Sequence, residues 1–244
     1  MIFQIIEDIF NAAKWPVAVV VFDKFVLQKI PIPEYVKKHH NVAKWKHEVG
    51  ALTNATVLAV GAPIALYFSP AQSVMESPIN TFGKALLEYS TVFYIYDSFK
   101  ILVDRPFNRL LTAFFVLHHS ICDLVLITCL YDKKYEGLVL TSLLMEVNSV
   151  FVHTRLLLKY SGNTENVIFP IVKLLNLVTN IPFRYYVGKY VIERMLTRPN
   201  YSRDAKWYFA MTSIGIISTL NILVLVRVFH QDFILPNKQK QKTL

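Results

Sequence analysis

The stretch MEVNSVFVHTR, residues 145–155, places Glu146, Asn148, His153 and Arg155 inside an apolar run from Leu138 to Leu158. An ionisable side chain at bilayer depth costs about 2.5–3.5 kcal/mol even on insertion scales, so such groups face a bundle interior and mark function. At about 100° per residue, His153 falls about 20° from Glu146 and Ser149 about 60° from it. Asn148 and Arg155 lie on the opposite side, about 200° and 180° away. Both faces of this helix are therefore expected to meet protein or water and not lipid. Arg155, near one end of the run, is also long enough to snorkel.

The two preceding apolar segments carry groups of the same kind. FFVLHHSICD supplies His118, His119 and Asp123, and FYIYDSF supplies Asp97 with Tyr94 three residues before it. His119 and Asp123 are four apart, a spacing that lets them hydrogen-bond along one helix face. In a hydrocarbon solvent these groups are expected to seek each other, and three uses are open. In a catalytic site, His118 or His119 acts as general base or acid while Glu146 or Asp97 orients the imidazole. In a binding site, Asp123, Asn148, His153, Arg155 and Tyr94 hold a lipid head group. In the third use, the same residues are interhelical glue worth about 0.6 kcal/mol each. His39 and His40, by contrast, lie in a basic loop and are expected to be solvated. No C-x₂-C or H-E-x-x-H spacing occurs, so no metal is expected. Cys122 and Cys129, the only cysteines, sit about 10 Å apart along one helix and cannot bridge.

The elements that must position these residues are membrane helices. Of 244 residues, 54% are hydrophobic and 18% charged, with mean hydropathy +0.37, too apolar for an ordinary soluble domain. A span needs about 20 apolar residues, and candidates lie at 48–68, 85–103, 110–131, 137–158, 167–188 and 207–229. A weaker run at 10–30 is interrupted by Asp23 and Lys24. The fold class expected is an all-α integral membrane protein, a bundle of six to seven transmembrane helices. It comprises an N-terminal segment (1–39), a transmembrane domain (40–230) and a basic tail (231–244). Early Glu7 and Asp8, with no basic region before the first apolar run, argue against a cleaved signal peptide.

The formal charge of +9 gathers between and after the apolar runs, a topology signal and not a nucleic-acid footprint. Lys29 to Lys46 holds five lysines against Glu34, which puts this loop in the cytosol, whereas 69–84 holds only Glu76 and Lys84. Strict alternation then makes 189–206 external, although it carries Lys189, Arg194, Arg198, Arg203 and Lys206 against Glu193 and Asp204. Either the first or the sixth run fails to cross, or this loop is basic for another reason. Asn200-Tyr201-Ser202 has the form of a glycosylation site, as does Asn54-Ala55-Thr56, which lies within a span and is expected to be silent. Lys240 and Lys242 near the end look like a dilysine retrieval signal read by coat proteins, an address for cycling between endoplasmic reticulum and Golgi.

The His pair at 118–119, followed after a short loop by LLMEVNSVFVHTRLLL, resembles the TLC domain, a membrane module shared by translocating-chain-associating proteins, ceramide synthases and related lipid proteins. It resembles in particular a small fluidity-regulating subfamily whose string Glu-x-Asn-Ser-x-Phe-x-His-x-Arg is met here by Glu146, Asn148, Ser149, Phe151, His153 and Arg155. AKWKHE before the second span and YIYDSF in the third extend the resemblance over about residues 40–230. It implies a multi-pass plasma-membrane protein that limits polyunsaturated chains in phospholipids, phosphatidylethanolamine above all. No His-Asp-x-x-Asp run follows His119, so the resemblance does not extend to sphingoid-base acylation. Thr53 and Asn54 stand where many relatives carry His-Ser. Membrane phospholipids are the partners implied; no cofactor is, beyond an acyl donor such as acyl-CoA or a lipid. A non-catalytic lipid-binding adaptor or cargo receptor is the alternative.

Overall fold

The computed structural model describes residues 2–69, 79–197 and 203–234. Glu76, Arg198, the Asn200-Tyr201-Ser202 triplet, Lys240 and Lys242 lie outside the described residues. Regular structure among the described residues is helical throughout, with no strand. Helix α1 spans Ile2–Phe25, the short α2 Glu34–Lys38, α3 Val42–Tyr67, α4 Thr81–Asp104 and α5 Arg109–Asp132. Helix α6 (Glu136–Ser142) continues through a 3₁₀ turn, Leu143–Met145, into α7 (Glu146–Tyr160). Helix α8 (Ile168–Asn180) likewise continues through a π-turn, Ile181–Tyr186, into α9 (Val187–Thr197). Helix α10 (Ala205–Phe229) ends in a second π-turn, His230–Ile234.

Four of these stretches, Val42–Tyr67, Arg109–Asp132, Glu136–Tyr160 and Ala205–Ile234, are long and apolar enough to cross a membrane. Helix α4 is as long as α5 but carries Lys84, Glu88, Asp97, Lys100 and Asp104. The fold is an all-α membrane bundle in which α3 and α6–α7 are central. Their apolar windows are 39% and 44% buried, against 11% for α5 and 17% for α10. Asn80, Asn108 and Asp204 start α4, α5 and α10 by accepting from the backbone N–H of Gly83, Leu111 and Trp207 at 2.7–3.0 Å. Each satisfies a donor that the first helical turn leaves open.

Lipid tails are as apolar as leucine, so helices associate in a bilayer by close packing. Ala55, Ala62 and Ala65 of α3 are accordingly fully buried. A Cβ on Gly61 would stand 2.9 Å from Leu86 Cδ2 of α4, so an alanine there would require the Leu86 side chain to shift. Leu87, Tyr94, Leu126, Leu140 and Leu143 complete one core, and Leu138, Met145, Val191, Met195, Trp207 and Ile214 form a second.

One expectation about the spans changes. Asp23 and Lys24 do not break the first run in its middle, because α1 ends at Phe25 and both lie in its last turns. There Asp23 accepts from Gln28 Nε2 at 2.9 Å. In the sixth run, α8 lies against α7, while Val191 and Met195 of α9 pack with Leu138 of α6. Several of the basic residues in and beside the loop that follows have local partners. Lys206 donates to Asp132 Oδ2 at 2.5 Å, and Lys189 lies 3.5 Å from Glu193. Arg194 and Arg203 sit over the rings of Tyr190 and Trp207 at 5.1 and 5.6 Å.

The first loop docks on the opposite end of the bundle. Helix α7 closes with Asn163 N–H to Leu158 O at 2.9 Å and Gly162 N–H to Lys159 O at 3.2 Å, a Schellman pattern. Gly162 has φ +76°, and the ring of Tyr35 rests on it so closely that a Cβ would fall 2.8 Å away. Trp45 Nε1 donates to Ser161 Oγ at 3.1 Å. His39 and His40 are exposed in this loop, and Asn54 is buried in α3, so its triplet offers no acceptor.

Candidate functional site

Helix α7 distributes its polar residues as helical geometry requires. On one face Glu146 Oε1 accepts the Tyr94 hydroxyl of α4 at 2.9 Å, and His153 Nδ1 meets Glu48 Oε2 of α3 at 2.7 Å. On the other, Asn148 Nδ2 donates to Asn176 O and Oδ1 and to Thr179 Oγ1 of α8 at 2.8–3.1 Å. Arg155 on that face donates through Nε and Nη2 to both carboxylate oxygens of Asp232, with Nε to Oδ2 at 2.5 Å. Lys173 Nζ adds a bond to Asp232 O at 2.7 Å.

Two clusters of polar groups meet at Tyr94 and at the neighbouring rings of His118 and His119, whose centroids are 5.6 Å apart. In the first, the Asp97 carboxylate stands between two imidazoles, with Oδ1 3.2 Å from His47 Nδ1 and Oδ2 3.4 Å from His119 Nδ1. The ring of His119 stacks on Tyr94, centroids 5.1 Å apart. The second cluster lines a partly open cavity of about 160 Å³ between α5, α6, α9, α10 and the 3₁₀ turn, with α4, α7 and the Ile181–Tyr186 π-turn also contributing to its lining. One ordered water needs about 10–15 Å³ by the same measure, so the cavity has room for a ligand group of several heavy atoms.

Its inner end presents Tyr94, His118, Glu146, Ser149, Arg184 and Asn221; its walls include Leu126, Val139, Leu143, Val191, Ile214 and Ile217. Asp132, Lys134, Tyr135 and Lys206 border it where α5 ends and α10 begins. Arg184 enters from the π-turn, where Pro182 supplies no N–H and a wider turn re-aims the backbone. Its Nε donates to Asn148 Oδ1 at 2.6 Å, Nη2 to Ser149 Oγ at 2.9 Å and Nη1 to Asn221 Oδ1. His118 Nε2 lies 3.9 Å from Cys122 Sγ one turn along α5. An apolar cavity with a few convergent polar groups at one end is the usual form of a small-molecule site.

A model of the TLC domain family matches residues 44–230. The chain belongs to the TLC domain family. TLC domain-containing protein 2 of Danio rerio is 23% identical over 221 residues, covering 88% of this chain and 86% of that protein. TLC domain-containing protein 1 of Rattus norvegicus is 22% identical over 218 residues, covering 85% and 83%. TLC domain-containing protein 2 of Mus musculus is 28% identical over 163 residues, covering 65% and 50%.

In this TLC domain, three of the nine sequence candidates line the cavity: Tyr94, His118 and Glu146. His119 and Asp97 do come together, but with His47 and outside the cavity lining. The expected His119–Asp123 bond along α5 is not formed. His119 turns to Asp97 on α4, while Asp123 is buried with Oδ1 unpartnered among the described residues. Of the residues expected to hold a head group, His153, Arg155 and Asn148 are engaged by Glu48, Asp232 and the α8 amides. Arg155 does not snorkel, since Asp232 binds it inside the bundle, where it is 3% exposed. No group of three His, Cys, Asp or Glu side chains is arranged to hold a metal among the described residues.

Sequence reasoning missed Glu48, His47, Arg184, Asn221 and Asp232. Arg184 had a usable signal, being a guanidinium within the apolar run 167–188, the same criterion that singled out Glu146.

Proposed function

We propose that this TLC domain protein regulates the acyl composition of membrane phospholipids and thereby membrane fluidity. It limits the polyunsaturated chains carried by phospholipids such as phosphatidylethanolamine, by handling an acyl lipid in the cavity. The observation behind this reading is the cavity itself, largely apolar in its walls and lined by His118, Glu146 and Arg184 inside a membrane bundle. The plasma membrane is the compartment that goes with it, by resemblance.

In acyl transfer there, His118 takes the proton of a lipid hydroxyl as that oxygen attacks the acyl carbonyl, and gives it to the departing thiolate of acyl-CoA or alkoxide of a lipid donor as the new ester forms. N–H donors of Arg184 would polarise the acyl carbonyl of an acyl-CoA or lipid donor. His119, beside the rings of Tyr94 and His118, acts in this scheme as a positioning residue.

The test is the phospholipid acyl profile of cells lacking the protein, fed a polyunsaturated fatty acid and complemented with wild type or with His118→Ala plus Glu146→Gln. Restoration by wild type alone, with the variant accumulating normally, supports the reading. Equal restoration by a well-accumulated variant removes the cavity from the function. The adaptor alternative, with coat-protein recognition of Lys240 and Lys242, then moves ahead.

A further inference from the structure

The bundle holds two inward arginines with opposite surroundings. Arg155 spends its guanidinium on both oxygens of the Asp232 carboxylate. Arg184 bonds three neutral oxygens, those of Asn148, Ser149 and Asn221. Three of its five N–H donors are so used, and the remaining two have no partner among the described residues. Glu146 lines the same end of the cavity, but it accepts from the Tyr94 hydroxyl and no ion pair joins it to Arg184 among the described residues. A guanidinium held at membrane depth without a bonded counter-charge is costly. Here it is fixed in place by three neutral hydrogen bonds and faces a cavity with apolar walls.

We propose that Arg184 is the anion receptor of the cavity, and that the ligand is an amphiphile whose anionic oxygens, carboxylate or phosphate, meet its free N–H donors while an apolar chain lies along Leu143, Val191 and Ile214. The assignment rests on reading the cavity as a lipid site and adds the charge of the head group. Planar guanidinium matches either oxyanion with two parallel bonds, and these charge-assisted bonds are about twice as strong as neutral ones. Asn148, Ser149 and Asn221 act as positioning residues, since each orients the guanidinium without carrying charge. Glu146 opposes an anion at this place, so removing its charge strengthens binding.

The experiment compares hexadecanoate, hexadecyl phosphate and hexadecanol as competitors for a bound acyl fluorophore on the purified full-length protein. In wild type, at least one anion is expected to bind about tenfold or more tighter than the alcohol, as charge-assisted bonds require; which anion gains more separates carboxylate from phosphate. Arg184→Gln is expected to abolish the preference by weakening the anions far more than hexadecanol, Arg184→Lys to keep part of it, and Glu146→Gln to enlarge it. Equal binding of all three probes to wild type overturns the anion assignment and leaves the lipid cavity standing, as does a preference that survives in folded Arg184→Gln. Absence of binding by every probe overturns both. The wild-type comparison decides the matter even where Arg184→Gln fails to fold.

Discussion

The hydroxyl of Tyr94 donates to Glu146 at 2.9 Å, and the ring of the same tyrosine stacks on His119. One side chain of α4 thus touches both the cavity and the histidine–aspartate cluster behind it. Removing the hydroxyl in Tyr94→Phe leaves the Glu146 carboxylate without its donor, at a cost of about 1.5–3 kcal/mol for a bond to a charged group. With about 2–4 °C of midpoint per kcal/mol for a chain of this size, the thermal midpoint in detergent should fall measurably. The loss should be smaller when Glu146→Gln is already present, because the two effects share one contact. Equal losses in both backgrounds would show that the bond carries no energy.

Arg155 and Asp232 form the clearest structural pair. Both are buried, and the contact joins α7 to the π-turn that ends α10. Breaking such a pair from either side should cost about 3–5 kcal/mol, while replacing both partners by apolar residues is nearly neutral. Arg155→Met and Asp232→Leu are each expected to unfold well below wild type, with the double variant recovering most of the loss. Single variants as stable as wild type would contradict the placement of the last helix.

Gly162 is the one glycine among the described residues with positive φ, and Tyr35 lies on it. Gly162→Ala should destabilise by about 1–2 kcal/mol through the left-handed backbone alone, with the Tyr35 contact adding to it. It should also loosen the first loop, seen as faster proteolysis after Lys37 or Lys38. Unchanged cleavage would mean that the loop is held elsewhere.

Much of the arrangement was legible in local sequence. Six apolar runs became helices near their expected places, and the two faces of α7 follow from 3.6-residue periodicity. Local spacing failed at His119 and Asp123, because a pair four apart gains only about 0.2–0.5 kcal/mol and Asp97 on α4 offered the imidazole a partner within the bundle. Asp232 was missed for a related reason, as was the direction of Arg184, although the charge of Arg184 within an apolar run had marked it. Both sit in π-turns, where an inserted residue shifts the direction that periodicity assigns. Their partners Asn148 and Arg155 lie far along the chain, and no spacing rule reaches them. Glu48 and His47 belong to the first turns of a span whose start the basic loop obscured.

The most direct measurement is photo-crosslinking in cells with a phospholipid that carries a diazirine on its acyl chain, with the labelled residues mapped by peptide mass spectrometry. Label is expected on cavity-wall residues Leu126, Val191 and Ile214, and it should be lost in Ala210→Trp, which fills the cavity from α10. Label confined to lipid-facing Leu124 and Leu223, unchanged by Ala210→Trp, would show that no acyl chain enters the bundle.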